Sequence, residues 1–203
     1  NLVLLVTLMK DIVNFLYEIG NLSRTPRSGL SLLGTGNQSV SEHVLRVIFI
    51  GYTLASVEEG IDMTKVLKMC LLHDLAESRV SDLNYVHQKY VVSKEKQVIE
   101  DITSPLPFGD DMKDVIEEYE KRESRESIIA KDADNLEWIM TLKEESDKGN
   151  TRAETWIPPA IKRLKTEKAK EIAQGIMNIA SDEWWYGDKD SSWWVNRDKE
   201  KQA

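Results

Sequence analysis

Leu71-Leu72-His73-Asp74-Leu75-Ala76-Glu77 places an imidazole and two carboxylates at the end of an apolar helical run. The run covers 62–78, where Met63, Val66, Leu67, Met69, Cys70, Leu71, Leu72 and Leu75 leave almost no polar face and Asp62 is a plausible N-cap. So apolar a helix is expected to be central and buried. His73, Asp74 and Glu77 interrupt it, and an unpaired buried carboxylate is costly, so a paired cation or a water-filled cleft is expected beside them. On a continuous helix Glu77 stands at i+4 from His73 and i+3 from Asp74, and the three converge on one edge.

Working outward, the rest of the chain reads as helix and loop. Ile12, Val13, Phe15, Leu16 and Ile19 recur at helical spacing and predict an amphipathic helix over 9–19 that stops at Gly20. Residues 23–39 have loop chemistry and carry Arg24 and Arg27. Ser39-Val40-Ser41-Glu42 matches a capping box, with His43 in the first turn of a helix that closes at Gly60. Pro105 and Pro107 end a segment at 94–103, and Asp110-Asp111 open a helix reaching about Arg122. Another covers 124–148 and ends at Gly149-Asn150. Pro158-Pro159 are expected in the first turn of a last long helix whose core stripe includes Ile161, Leu164, Ala169, Ile172 and Ile176. No segment alternates as a strand does. The expected fold is all-α, a single-domain bundle of about six or seven helices over 9–181, followed by a Trp-rich polar tail at 182–203.

Composition narrows the function. The chain has 203 residues, 41% hydrophobic and 31% charged, enough for one sizeable core. With 27 Lys and Arg against 35 Asp and Glu the net charge is -8, which disfavours binding to a nucleic acid polymer. One cysteine, Cys70, cannot form an internal disulfide, and three histidines, His43, His73 and His87, cannot supply a many-histidine metal cluster. The apolar start, Asn1 to Leu8, lacks a preceding positive region and a cleavage site and is too short to span a bilayer, so a cytoplasmic location without membrane attachment is expected. Met9 is a possible natural start.

The ligand chemistry asks for partners beyond His73-Asp74. His43 begins a neighbouring helix, and Ala130-Lys131-Asp132-Ala133-Asp134-Asn135 puts two more carboxylates on a later one. In this order of His, His-Asp and Asp, the chain resembles the HD-domain metal phosphohydrolases, and within them the 5'-deoxynucleotidase-like branch, over roughly residues 10–180. The resemblance is carried by Arg24-Thr25-Pro26-Arg27-Ser28-Gly29, Ser39-Val40-Ser41-Glu42-His43, Leu71 to Glu77 and Ala130 to Asp134.

The resemblance implies one divalent ion (Mn, Co, Fe, Ni or Zn) held by His43, His73, Asp74 and Asp134, with Asp132 as the runner-up for the fourth place and otherwise a solvated or outer group. It implies Glu77 as the group that protonates the departing 5'-oxygen or acts on the attacking water, Arg27 as a substrate contact suited to phosphate oxygens, and Asp82 on the sugar side of the pocket. The implied reaction is hydrolysis of (deoxy)nucleoside 5'-monophosphates. A homodimer is expected. The chain departs from the family pattern at Ser81, where a glycine is common, at Asn84-Tyr85-Val86, which lacks a usual proline, and at Leu30, where an aromatic is frequent. Superfamily phosphodiesterases with bridged metals need further histidines, and only His87 is left over.

Two other readings stay open at this point: hydrolysis of another small phosphate compound, a nucleoside triphosphate included, and a non-catalytic helical module with a structural metal. Of the remaining residues, His87 reads as a solvated or helix-end histidine and Cys70 as a small core residue. Trp184, Trp185, Trp193 and Trp194 read as an arm covering an apolar patch of the same fold or of a dimer. His73→Ala and Asp74→Ala are each expected to remove bound metal and nearly all activity, because the chain has no spare histidine nearby; full metal occupancy of either variant by elemental analysis would overturn the ligand assignment.

Overall fold

The computed structural model describes residues 2–191 and 194–195. In chain order the helices are α1 (Leu2–Ile19), α2 (Ser28–Leu33), α3 (Val40–Ser56), α4 (Met63–Leu72), α5 (Glu77–Val80), α6 (His87–Tyr90), α7 (Glu95–Thr103), α8 (Gly109–Lys121), α9 (Arg125–Asp147), α10 (Thr151–Ile161), α11 (Glu167–Asn178) and α12 (Glu183–Tyr186), with a 3-10 turn at Gly20–Ser23. The only extended pairing among the described residues is an isolated bridge between Pro26 and Ser39. The all-α class holds, with more and shorter helices than six or seven, and among the described residues none is long and apolar enough to cross a membrane.

Side-chain caps set most of the helix starts that matter for the site. Ser39 Oγ accepts from Glu42 N while Glu42 Oε2 accepts from Ser39 N, the reciprocal arrangement of a capping box, and this fixes where α3 presents His43. Asp62 caps α4 through Lys65 N, and Ser124 caps α9 through Ser127 N. Gly149 follows α9 at φ +99°, a conformation that glycine adopts without steric cost. Gly60 is also left-handed, yet α3 has already ended at Ser56.

The core is organised around α9, which packs against α3, α4, α8, α10 and α11. The central helix is therefore α9 and not the 62–78 segment. The latter stops at Leu72, leaves Leu71 exposed, and resumes only at α5. Between them Leu75 N donates to Leu72 O and Glu77 N to Asp74 O, the three-residue step of a tighter helix, so His73 and Asp74 sit where the chain turns.

Three other differences have physical causes. The first helix extends back to Leu2, and the 23–39 loop contains α2. The expected last long helix is two helices, and Pro158 and Pro159 lie near the end of α10 rather than at the start of its successor. They are tolerated there because α10 ends at Ile161 and both face solvent. The break falls at 162–166, where the buried Asp132 carboxylate accepts from Lys165 N, Thr166 N and Thr166 Oγ1 and so starts α11. In the tail Trp184 is 86% exposed, while Trp185, Tyr186 and Trp194 pack on one another. Trp184 nevertheless lines a groove with Met140 of α9 and Ile172 and Ile176 of α11; Trp193 lies outside the described residues.

The helices that carry the two histidines approach closely where Gly51 of α3 meets Cys70 of α4. A Cβ added at Gly51 would stand 2.5 Å from Cys70 Sγ. Gly51→Ala is therefore expected to cost about 1–3 kcal/mol of stability, and Gly51→Ala/Cys70→Ala to recover part of that loss in urea unfolding; equal destabilisation with and without Cys70→Ala would place the strain elsewhere.

Candidate active site

Three segments meet at one point. His43 comes from the first turn of α3, His73 and Asp74 from the turn after α4, and Asp134 from the middle of α9. His43 Nε2 lies 3.3 Å from His73 Nε2, 3.3 Å from Asp134 Oδ1 and 3.5 Å from Asp74 Oδ2, and His73 Nε2 lies 3.3 Å from Asp74 Oδ2. His43, His73 and Asp134 offer ligand atoms all within 4.8 Å of one another.

The tautomers follow from what faces the other ring nitrogens. Glu137 Oε2 stands 2.5 Å from His43 Nδ1 and the Cys70 carbonyl 2.9 Å from His73 Nδ1. Both partners only accept, so each Nδ1 carries the proton and each Nε2 turns a lone pair toward the cluster. Two lone pairs and two carboxylate oxygens then converge, an arrangement that needs positive charge at its centre. A divalent ion with bonds of about 2.0–2.2 Å separates adjacent ligands by roughly 2.8–3.6 Å, and the observed spacings fall in that range. The donor set fits an ion of the Mn-to-Zn series.

Without an ion, protons take its place. Burial works against a charged His43 and Arg27 opposes it too, yet the hydrogen bonds to Asp134 and Glu137 carry its pKa up to about 9. Burial likewise opposes ionisation of Asp74, but His73, His43 and Arg27 hold its pKa below the usual carboxylate range. For Asp134, Lys131 and the two histidines overcome burial in the same way.

Glu137, the residue the sequence reading missed, is fully buried yet completely satisfied. Its Oε1 accepts from Gln38 Nε2 at 2.7 Å, from Arg46 Nη2 at 2.8 Å and from Thr141 Oγ1 at 3.1 Å. Despite burial, His43, Arg46 and Gln38 lower its pKa to about 2. A signal existed: Glu137 stands three residues after Asp134 inside the apolar run Leu136 to Ile139. A carboxylate in that setting has to find donors.

The cluster forms one end of a cleft of about 570 Å³. Glu77 opens α5 at its edge, with Oε2 buried and without a hydrogen-bond partner. Burial first, then the Asp74 and Asp82 carboxylates, push its pKa up to about 9, with Arg27 and His43 pulling the other way. Arg27 Nη1 sits 3.4 Å from both Asp74 Oδ2 and Asp82 Oδ2, and Asp82 Oδ2 accepts from Ser28 N at 3.0 Å. Ser81 has φ +67°, the left-handed region that glycine favours, which gives the departure from the family pattern at this position a backbone cost. Lys131 Nζ holds Asp134 Oδ2 at 2.6 Å on the side away from His43. Asp132 is absent from the cluster. Its carboxylate is 1% exposed, so it is not solvated, and it is occupied by the α11 start.

The HD-domain family model matches residues 19–177. The chain belongs to the HD-domain family. Among curated HD-domain relatives, it is 29% identical over 187 residues to the 5'-deoxynucleotidase HDDC2 of Danio rerio, covering 82% of this chain and 92% of that protein. It is 32% identical over 149 residues to the Dictyostelium discoideum 5'-deoxynucleotidase HDDC2, covering 67% and 78%. Among solved structures, a conserved hypothetical protein from Pyrococcus furiosus superposes with a TM-score of 0.70 at 28% identity, covering 82% of this chain and 99% of that one. HD-domain membership implies a divalent metal, and the donor set described above suits it.

Because Asp132 is committed to α11 and Asp134 faces the two histidines, Asp134→Ala is expected to lose far more metal than Asp132→Ala. Glu137→Gln should weaken metal binding by about 10–100-fold by removing the charge that orients His43. Metal titration with a competing chelator checks both, and the reverse order of the two aspartates would move the fourth ligand to Asp132.

Proposed function

We propose that this HD domain is a metal-dependent phosphomonoesterase that hydrolyses (deoxy)nucleoside 5'-monophosphates to nucleoside and phosphate. The observation that carries the reading is the convergence of His43, His73, Asp74 and Asp134 at the end of a cleft that also holds a buried, unpartnered Glu77 carboxyl. The 5'-deoxynucleotidase relatives supply the substrate class. One divalent ion is assigned to the four ligands; when bound it neutralises phosphoryl charge and acidifies water.

The remaining work falls to the side chains. Arg27, free at Nε and adjacent to Asp74, is placed to take a phosphate oxygen with its planar fork. Glu77, kept protonated by burial and by its carboxylate neighbours, donates its proton to the departing 5'-oxygen. A divalent ion held by His43, His73, Asp74 and Asp134 would add positive charge beside Glu77 and favour release of its proton. Asp82, fixed by Ser28 N, accepts from a sugar hydroxyl. Residues 9–181 form the catalytic unit and 182–203 the tail.

The same reading includes a homodimer and a cytoplasmic location. The dimer draws support from α3, where Leu45, Phe49 and Tyr52 recur at helical spacing and are all exposed. Such a stripe suits a second copy of the same helix across a two-fold axis.

A phosphate-release screen over ribo- and deoxyribonucleoside mono- and triphosphates with several metals tests the activity; release from triphosphates alone would replace it with the alternative phosphohydrolase reading. Adding EDTA should abolish release while leaving helicity intact; unfolding would make the metal structural. Glu77→Ala should keep metal and nucleotide affinity and lose about a hundredfold or more in turnover. Near-normal turnover would leave the proton without a carrier, and metal loss would make Glu77 structural.

A further inference from the structure

The cleft poses an electrostatic problem. Its lining includes the Asp74, Asp82 and Asp134 carboxylates beside a protonated Glu77, in a chain of net charge -8, and the proposed substrate is itself doubly negative. Four cationic side chains line the cleft: Arg27, Lys131, Arg163 and Lys165. The first two already pair with carboxylates, Arg27 through Nη1 with Asp74 and Asp82 and Lys131 with Asp134, which leaves only part of the Arg27 fork for a phosphate oxygen. Among the described residues, Arg163 and Lys165 have no carboxylate within ion-pairing distance.

Their placement is built. They flank Leu164, which is buried in the core, so both neighbours are held at the surface on the cleft side. The backbone that carries them is gripped by Asp132, whose carboxylate accepts from Lys165 N at 2.9 Å and from Thr166 N at 2.7 Å. Arg163 Nη2 donates to Tyr85 Oη at 3.2 Å, and Tyr85 lines the cleft from the separate segment between α5 and α6. A buried carboxylate that serves no metal thus fixes two unpaired cations at the mouth of a cleft floored with negative charge.

We propose that Arg163 and Lys165 form a cationic rim that captures the dianionic phosphate of the incoming ester, with Asp132 as the positioning residue for the rim. The proposal rests on the phosphomonoesterase reading. Capture at the rim raises the rate of productive encounter, the effect expected of a charged collar around a low-dielectric cleft. It acts on kcat/KM rather than on the chemical step, and it weakens as salt screens the charges.

The test uses the metal-loaded full chain and a deoxynucleoside 5'-monophosphate, with kcat and KM measured from low to high ionic strength. Arg163→Ala/Lys165→Ala should lower kcat/KM by about tenfold at low salt, through KM, with unchanged metal content and a flatter salt dependence. Arg163→Lys/Lys165→Arg should restore both, and Lys162→Ala, which removes a charge from the same turn outside the cleft lining, should behave as the parent protein. An unchanged kcat/KM and salt dependence in the alanine pair would overturn the rim, as would a loss confined to kcat or a loss of metal. If the parent protein releases phosphate from no nucleotide, the functional reading fails separately. The rim is then tested by calorimetric binding of inorganic phosphate to the metal-loaded protein, where about tenfold weaker binding by the alanine pair supports it and equal binding overturns it.

Discussion

The contact between Glu137 and His43 sets the reference point for the whole site. A carboxylate with no solvent exposure is tolerated only when its oxygens are filled, and Glu137 fills them from His43, Arg46, Gln38 and Thr141. Those donors come from α3, from the loop before it and from α9 itself, so one buried group ties three segments together. The same bond dictates which imidazole nitrogen carries hydrogen. Three of the four distances that define the cluster are measured from the other nitrogen, and a loosened Glu137 would blur them.

The central helix distributes its acidic residues by direction. Asp132 and Asp134 are two positions apart, a spacing that places side chains on different faces of a helix. Asp134 looks toward the histidines, Glu137 lies one turn on behind His43, and Asp132 meets the start of α11. Ligand, orienting group and helix anchor are therefore carried by one rigid element. The cleft inherits its shape from that element, since Lys131, Asp134, Asn135 and Trp138 line it from α9 while Arg163 and Lys165 reach it through the turn that Asp132 holds.

Much of this was legible in the sequence where the information is local. Caps at Ser39 and Asp62 depend on a few neighbouring residues, and they mark α3 and α4. His73 and Asp74 stand out against an apolar run, His43 and the aspartates of the 130–134 segment offer themselves as their partners, and the choice of Asp134 comes from the resemblance to the HD-domain pattern. What the sequence hides is decided by tertiary contact. Nothing local tells Leu72 to end a helix, and the apolar run to Leu75 reads through the break. The prolines of α10 look like a helix start because the carboxylate that begins α11 lies 33 residues earlier, at Asp132. Glu137 shows the same limit: its position in an apolar run is visible, whereas its partners Gln38, His43 and Arg46, more than 90 residues away, are not.

The close approach of Gly51 to Cys70 has a consequence for the kinds of ion the protein can meet. Cys70 is three residues from His73, and its backbone carbonyl helps orient that ring. Its thiol, however, is pressed against the glycine of the facing helix, and burial pushes its pKa up to about 12. At physiological pH it carries no thiolate and presents no sulfur to the cluster. The sole sulfhydryl in the chain thus stays protonated three residues before one of the ligand candidates, His73. The donors that converge on the cluster are nitrogen and oxygen, so discrimination between metals there falls to borderline and hard ligands.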